Sequence, residues 1–174
     1  MEQPGRSLLV CNTHLYFHPE SDNIRLVQFS ICLNYIEDVL KQMATKFPSH
    51  KISPLFCGDF NSCPEFGVYQ LATTGHVDAL SEDWRSNKEE VANADLEVSH
   101  DLKLASACGL PVYTNYVGGF NGTLDYIFYD TTNLTVTEVV PYPSHEEVTL
   151  HTALPSVTFP SDHIASIATL KWKE

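Results

Sequence analysis

Basic residues are scarce in this 174-residue chain: 10 Lys and Arg stand against 22 Asp and Glu, a formal net charge of −12. Non-specific nucleic-acid binding needs a basic footprint, so this balance argues against it. A small phosphate substrate held through a metal ion stays open, because the ion brings the positive charge. Long apolar runs are missing too. No stretch approaches the roughly 18 residues of a membrane span. After Arg6 only Leu8, Leu9, Val10 and Cys11 precede polar residues, so no secretory signal is legible. Cysteine occurs in an odd number, five, without a Cys-x-x-Cys pair. Cys11, Cys32, Cys57, Cys63 and Cys108 mostly sit in apolar runs and read as reduced core thiols of an intracellular protein. Internal repeats, low-complexity stretches and interdomain linkers are also lacking.

What is present is ordinary globular composition, 43% hydrophobic and 18% charged, at a length that suits one domain with a real core. The chain starts almost directly on an apolar strand, Ser7 to Cys11, which suggests that more polypeptide precedes it. Ser21-Asp22-Asn23 offers a helix N-cap. Leu26, Phe29, Leu33, Ile36, Leu40, Met43 and Phe47 then recur at spacings of three and four, one apolar stripe that predicts a helix packed along a sheet. Pro48 ends it. Leu55-Phe56-Cys57 reads as the end of a buried strand, and residues 66–74 as a short helix closed by Gly75. The acidic stretch 78–101 reads as a solvated insertion. Leu102 to Cys108 is expected to be a helical turn or two. Tyr113 to Val117 and Thr123 to Tyr129 are expected to be strands joined by a turn over 118–122, with Asn121-Gly122 as the hairpin signal. A strand over 134–140, a long loop over 141–160 and a final strand, Ile164 to Trp172, complete the chain. Asn121-Gly-Thr and Asn133-Leu-Thr match the glycosylation pattern and are taken as chance. Strands alternate with a helix early and run hairpin-wise late, which points to a layered mixed α/β fold rather than a doubly wound parallel sheet.

The chemistry gathers at strand ends. Asp59 and Asn61 follow Gly58 at i and i+2, a spacing that puts both on one face of extended chain. A carboxylate and an amide oxygen are hard ligands of the kind Mg²⁺ takes, although Gly, Asp, Asn, Ser and Pro are equally the residues of a plain turn. His14 ends the first strand, where ligands of α/β sheets collect. Asp125 is a carboxylate inside an otherwise apolar strand, so it must be paired or functional. Asp162 and His163 precede the last strand, and such adjacency lets a carboxylate orient an imidazole. Together these groups could serve metal-assisted phosphodiester hydrolysis, which needs a cation, a base for water and donors to the phosphate.

Asn12-Thr13-His14-Leu15, Gly58-Asp59-Phe60-Asn61-Ser62, Leu124 to Phe128 and Ser161-Asp162-His163, in that order, resemble the endonuclease/exonuclease/phosphatase superfamily. Thr114 to Phe128 and Pro143 to His163 resemble its poly(A)-deadenylase branch, and within it the 2′,5′-phosphodiesterases that degrade 2′,5′-oligoadenylates. The resemblance implies a layered β-sandwich flanked by helices, with residues 1–174 forming the C-terminal portion of a single catalytic domain. It implies Mg²⁺, with Mn²⁺ as an alternative, and an oligoadenylate or RNA 3′ end as substrate. Asp59 would be general base or acid and a metal ligand. Asn61 would bind metal or phosphate, and Asp162 would help hold the metal. His163, oriented by Asp125, and His14 would contact the phosphate from two sides. Pro19 and Phe120 would flank an adenine, with Asn115 also in substrate binding. The family's early Asn and metal-binding Glu have no counterpart before His14, and Glu2 lacks a strand around it. The chain by itself is therefore expected to be nearly inactive. A mitochondrial matrix location is suggested by the resemblance alone, with the cytoplasm as the alternative. No membrane and no stable protein partner are expected. A non-catalytic isoform or interaction fragment is the second expectation. A third is another branch of the superfamily: an abasic-site endonuclease, an inositol-polyphosphate phosphatase or a sphingomyelinase. The Pro19 and Phe120 pair favours adenine over that third set.

Overall fold

The computed structural model describes residues 5–86 and 96–174. Glu2 and the middle of the acidic stretch, with Glu89, Glu90 and Asp95, lie outside the described residues. Strand β1 (Arg6–His14) leads through helix α1 (Asp22–Lys46) to strand β2 (Lys51–Asp59). The two strands pair in parallel from Arg6↔Lys51 to His14↔Asp59. A parallel pair cannot be joined by a tight turn, so α1 is the crossover that returns the chain. Its stripe packs as expected: Leu26, Phe29, Leu33 and Ile36 are buried, while Leu40, Met43 and Phe47 are half-buried. Phe29 meets Phe56 at 5.5 Å and Phe60 at 5.5 Å between ring centroids, and Phe60 meets Phe128 at 5.2 Å. Each ring removed from water contributes roughly 1.5–3 kcal/mol, so this aromatic cluster anchors the helix to the sheet.

Helix α2 (Gly67–Thr74) adds Val68, Leu71 and Ala72 to the same core, and Gly75 closes it in the left-handed conformation. Short pairs follow: β3 (His76–Val77) with β4 (Val98–Ser99), and β6 (Asn115–Val117) with β7 (Phe120–Gly122). Between them lies β5 (Leu104–Ser106). Strand β8 (Asp125–Asp130) joins the main sheet antiparallel to both β2 and β5, giving the order β1-β2-β8-β5. β9 (Leu134–Val139) and β10 (Ala168–Trp172) form a separate two-stranded sheet. Arg6 of β1 stacks on Trp172 of β10, 5.9 Å from the ring centroid, a contact between the two sheets. A smaller core holds Tyr113, Val148, Leu154 and Ile164.

Several local expectations change. Residues 102–108 are not helical. Leu104–Ser106 pair with Asp130–Phe128, and three residues are too few for apolar periodicity to tell a turn from a strand. The hairpin turn lies at Gly118-Gly119, with Gly119 at φ +96°, and Asn121 and Gly122 belong to β7. The strand after it does not return to residues 113–117 but leaves for β2. The loop over 141–160 contains a short helix, α3 (His145–Thr149), started by a Ser144–Glu147 capping box. The last strand begins at Ala168 rather than Ile164. Pro54 lies inside β2, where β8 has not yet begun to pair, so its missing N–H costs no ladder bond on that side. All five cysteines are free and half-buried, and burial raises each thiol's pKa.

Candidate active site

Strand pairing assembles the polar groups. His14 ends β1 and Asp59 ends β2, and parallel register sets them side by side. β8 runs the other way, so its first residue, Asp125, lies opposite Asp59. Gly58 makes the junction possible. Its φ is +147°, and a Cβ built there would come within 1.9 Å of the Thr13 carbonyl oxygen, so no side chain fits.

His14 Nε2 lies 3.3 Å from Asp59 Oδ2, and His163 Nε2 lies 3.7 Å from the same oxygen. Asp59 Oδ1 accepts the Asn61 backbone N–H at 2.8 Å. Asn61 sits at φ +48°, a left-handed turn that Asn tolerates, and its Nδ2 donates to Leu15 O at 2.9 Å. That bond turns the amide so that Oδ1 is the atom left for another ligand. Behind His163, Asp125 Oδ2 contacts Nδ1 at 2.8 Å and accepts the Thr114 hydroxyl at 2.6 Å. Asn115 Nδ2 donates to the carbonyl (3.2 Å) and carboxylate (3.3 Å) of Asp162.

Burial holds the Asp59 carboxyl above its usual range, with the nearby Asp125 adding to the rise against the Asn61 N–H and the two imidazoles. Burial works against the charged form of His163, but the hydrogen bond and charge of Asp125, helped by Asp59 and Asp162, outweigh it and its pKa is raised. Donor atoms of Asp59, Asp125 and His163 all lie within 4.8 Å of one another, close enough to share a cation. Asp162 is not in that group, and Asn61 is tied to it through the bond from its backbone N–H to Asp59 Oδ1.

A cleft of about 490 Å³ opens next to these groups. Phe17, Pro19, Phe66 and Phe120 line it, together with Asn61, Asn115, Asp162 and His163. The structure thus gathers His14, Asp59, Asn61, Asp125 and His163 in one contact network. It brings Pro19, Phe120, Asn115 and Asp162 to the cleft beside them. Sequence reading missed three contributors. Phe17 and Arg25 carry no motif of their own, and Thr114 opens a stretch quoted for the resemblance but was given no role there. The signal for Arg25 was a cation in the first turns of a helix, where the macrodipole disfavours it.

Carboxylates and imidazoles converging on one end of a mixed α/β sheet, beside an aromatic cleft, suit a hydrolase acting on phosphate esters. The chain belongs to the Endonuclease/Exonuclease/phosphatase family, whose sequence profile matches residues 9–163. It is 51% identical over 169 residues to 2′,5′-phosphodiesterase 12 of Mus musculus and 50% identical to that of Homo sapiens, covering 97% of this chain in each case. It is 30% identical over 194 residues to the CCR4-Not complex 3′-5′-exoribonuclease subunit Ccr4 of Schizosaccharomyces pombe, covering 99% of this chain. The chain spans 27% of the length of the phosphodiesterase relatives and 28% of the Ccr4 relative. Among solved structures, ANGEL2, a 2′,3′-cyclic phosphatase, in complex with adenosine-2′,3′-vanadate matches with a TM-score of 0.74 at 22% identity, over 94% of this chain and 56% of that one. The human Nocturnin catalytic domain with bound sulfate matches at 0.54 and 24% identity, over 94% and 47%. These two establish the fold alone.

Proposed function

We propose that this chain is part of a divalent-metal-dependent phosphodiesterase that hydrolyses adenylate linkages, in 2′,5′-oligoadenylates and at RNA 3′ ends. The observation that carries this reading is the Asp59 carboxylate between the imidazoles of His14 and His163, with Asp125 behind His163. The names of the relatives support the substrate class.

Asp59, its carboxyl raised above the ordinary range by burial and placed between two imidazoles, suits proton transfer to or from water. Asp125 holds the Nδ1 proton of His163 and favours the imidazolium, which leaves Nε2–H to donate to a phosphate oxygen. His14 supplies a second donor from β1. Asp59 and Asp125 lie within reach of one ion and Asn61 and Asp162 offer further hard oxygens at the cleft, so these residues would hold a Mg²⁺ or Mn²⁺ ion, which when bound would supply charge neutralisation at the phosphate. Pro19 and Phe120 offer apolar surfaces for an unpaired purine.

The test is turnover of 2′,5′-triadenylate by the purified protein across Mg²⁺ and Mn²⁺ titrations, for this chain and for a longer polypeptide containing it. Metal-dependent release of adenylate is expected from the longer polypeptide, and next to none from this chain by itself. Asp59→Ala should lower that release by about 10²–10⁴-fold with little change in folding. No turnover by either polypeptide with either ion would overturn the reading. A second reading, a chain that binds without cutting, draws on β1. Leu8 and Val10 are 48% and 64% exposed there, and β1 pairs on one edge only among the described residues. An open edge with apolar side chains is a docking template. Adenylate binding without turnover would favour it.

A further inference from the structure

The segment between β1 and α1 carries one wall of the cleft yet has no regular structure. Phe17 and Pro19 line the cleft, and residues 16–20 are exposed. Backbone carbonyls in such a segment need donors, or the chain wanders. A single buried side chain supplies them. Arg25, only 2% exposed, donates from Nη1 to Tyr16 O (3.1 Å) and His18 O, and from Nη2 to Pro19 O (3.1 Å). Its charge is met by Asp22, Nη2 to Oδ1 at 2.5 Å.

We propose that Arg25 is a positioning residue for substrate, acting through Phe17 and Pro19 by pinning the backbone that carries them. The proposal rests on the adenylate reading above. Helix stability does not explain this residue. A cation near a helix N-terminus opposes the dipole, and a buried charge must be paired to be tolerated. The planar guanidinium, by contrast, can reach several carbonyls at once from fixed directions. A lysine keeps the charge opposite Asp22 but is a single point and cannot hold all three.

The test compares Arg25→Lys and Arg25→Gln with the unaltered protein, in a polypeptide that turns over 2′,5′-triadenylate. Hydrogen exchange is read by mass spectrometry over residues 15–20 and over 51–59. Steady-state kinetics are read on 2′,5′-triadenylate and on bis(p-nitrophenyl) phosphate, which has no base. Faster exchange is expected over 15–20 and unchanged exchange over 51–59. KM for triadenylate should rise about tenfold, the scale of one lost base-stacking contact, with kcat within about twofold. Arg25→Lys should recover the unfolding midpoint without recovering KM, which a purely structural role would not produce. Faster exchange with an unchanged KM would overturn the proposal, making Arg25 a brace of the fold only. So would equal losses on both substrates, or failure of both variants to fold. If the unaltered protein cuts bis(p-nitrophenyl) phosphate but not triadenylate, the adenylate reading fails and this proposal falls with it. That outcome differs from an active protein whose variants match it.

Discussion

Asp125 Oδ2 lies 2.8 Å from His163 Nδ1, although 38 residues separate them in the chain. The same oxygen accepts the Thr114 hydroxyl, and that hydroxyl oxygen accepts the backbone N–H groups of Leu124 and Asp125. The carboxylate is therefore locked in place before it orients the imidazole, and the tautomer of His163 is set by it. Nε2 is the nitrogen nearer Asp59, 3.7 Å from its Oδ2.

Asp125→Asn tests that arrangement. An amide cannot hold the Nδ1 proton and stabilise the imidazolium as a carboxylate does. Turnover of 2′,5′-triadenylate should fall by about 10²–10⁴-fold, with the thermal midpoint nearly unchanged. A variant with more than half the parent kcat would remove Asp125 from the site.

Phe120→Ala should raise KM for oligoadenylate about tenfold, since base–aromatic stacking contributes roughly 1–3 kcal/mol. The effect should be smaller for a substrate ending in a pyrimidine. Phe120 is 44% exposed, so stability should change little. Equal effects on both substrates would assign Phe120 to packing alone.

Gly58→Ala should destabilise the protein by about 2 kcal/mol or more, because a methyl group there collides with the Thr13 carbonyl at a φ that disfavours L side chains. Urea unfolding reads the loss. The same collision pushes β1 from β2 where His14 meets Asp59, so activity should fall further than stability alone predicts. An unchanged midpoint would mean that the strands part there without cost.

His100 predicts a pH dependence of stability. Its Nε2 contacts Leu71 O at 2.8 Å, and Leu102 N–H donates to its Nδ1 at 3.1 Å, so the folded state needs the neutral ring. Burial lowers its pKa below the ordinary 6.5. The unfolded chain therefore takes up this proton at a higher pH than the folded chain. The contribution is full above about pH 6.5 and is lost as pH falls from there toward the folded pKa. Urea midpoints at pH 7.5 and 5.5 should differ less for His100→Gln than for the parent. An equal difference would show that His100 does not titrate in this range.

Local pattern was informative where one element carries its own signal. The α1 stripe announced both the helix and the face it buries, because 3.6-residue periodicity is a property of consecutive residues. That residues 104–106 form a strand and not a helical turn, and the place of the β6–β7 turn, were not legible. Both depend on which backbone the segment pairs with, and Leu104–Ser106 pair with β8, some 25 residues on.

The sequence alone singled out the polar groups of the candidate site: Asp59 and Asn61 two apart after a glycine, a carboxylate inside an apolar strand at Asp125, and Asp162 beside His163. It singled these out because a polar side chain in an apolar strand is costly wherever the strand goes. Only the tertiary structure decided which of them touch. Parallel pairing of β1 with β2 sets His14 against Asp59, antiparallel pairing of β2 with β8 sets Asp125 opposite Asp59, and the bridge between Asn115 and His163 brings the second imidazole in. Strand order and register are long-range hydrogen-bond choices, and spacing along the chain carries no record of them. The same holds for Arg25, an unremarked helix residue until the fold lays three carbonyls of the β1–α1 segment across its guanidinium.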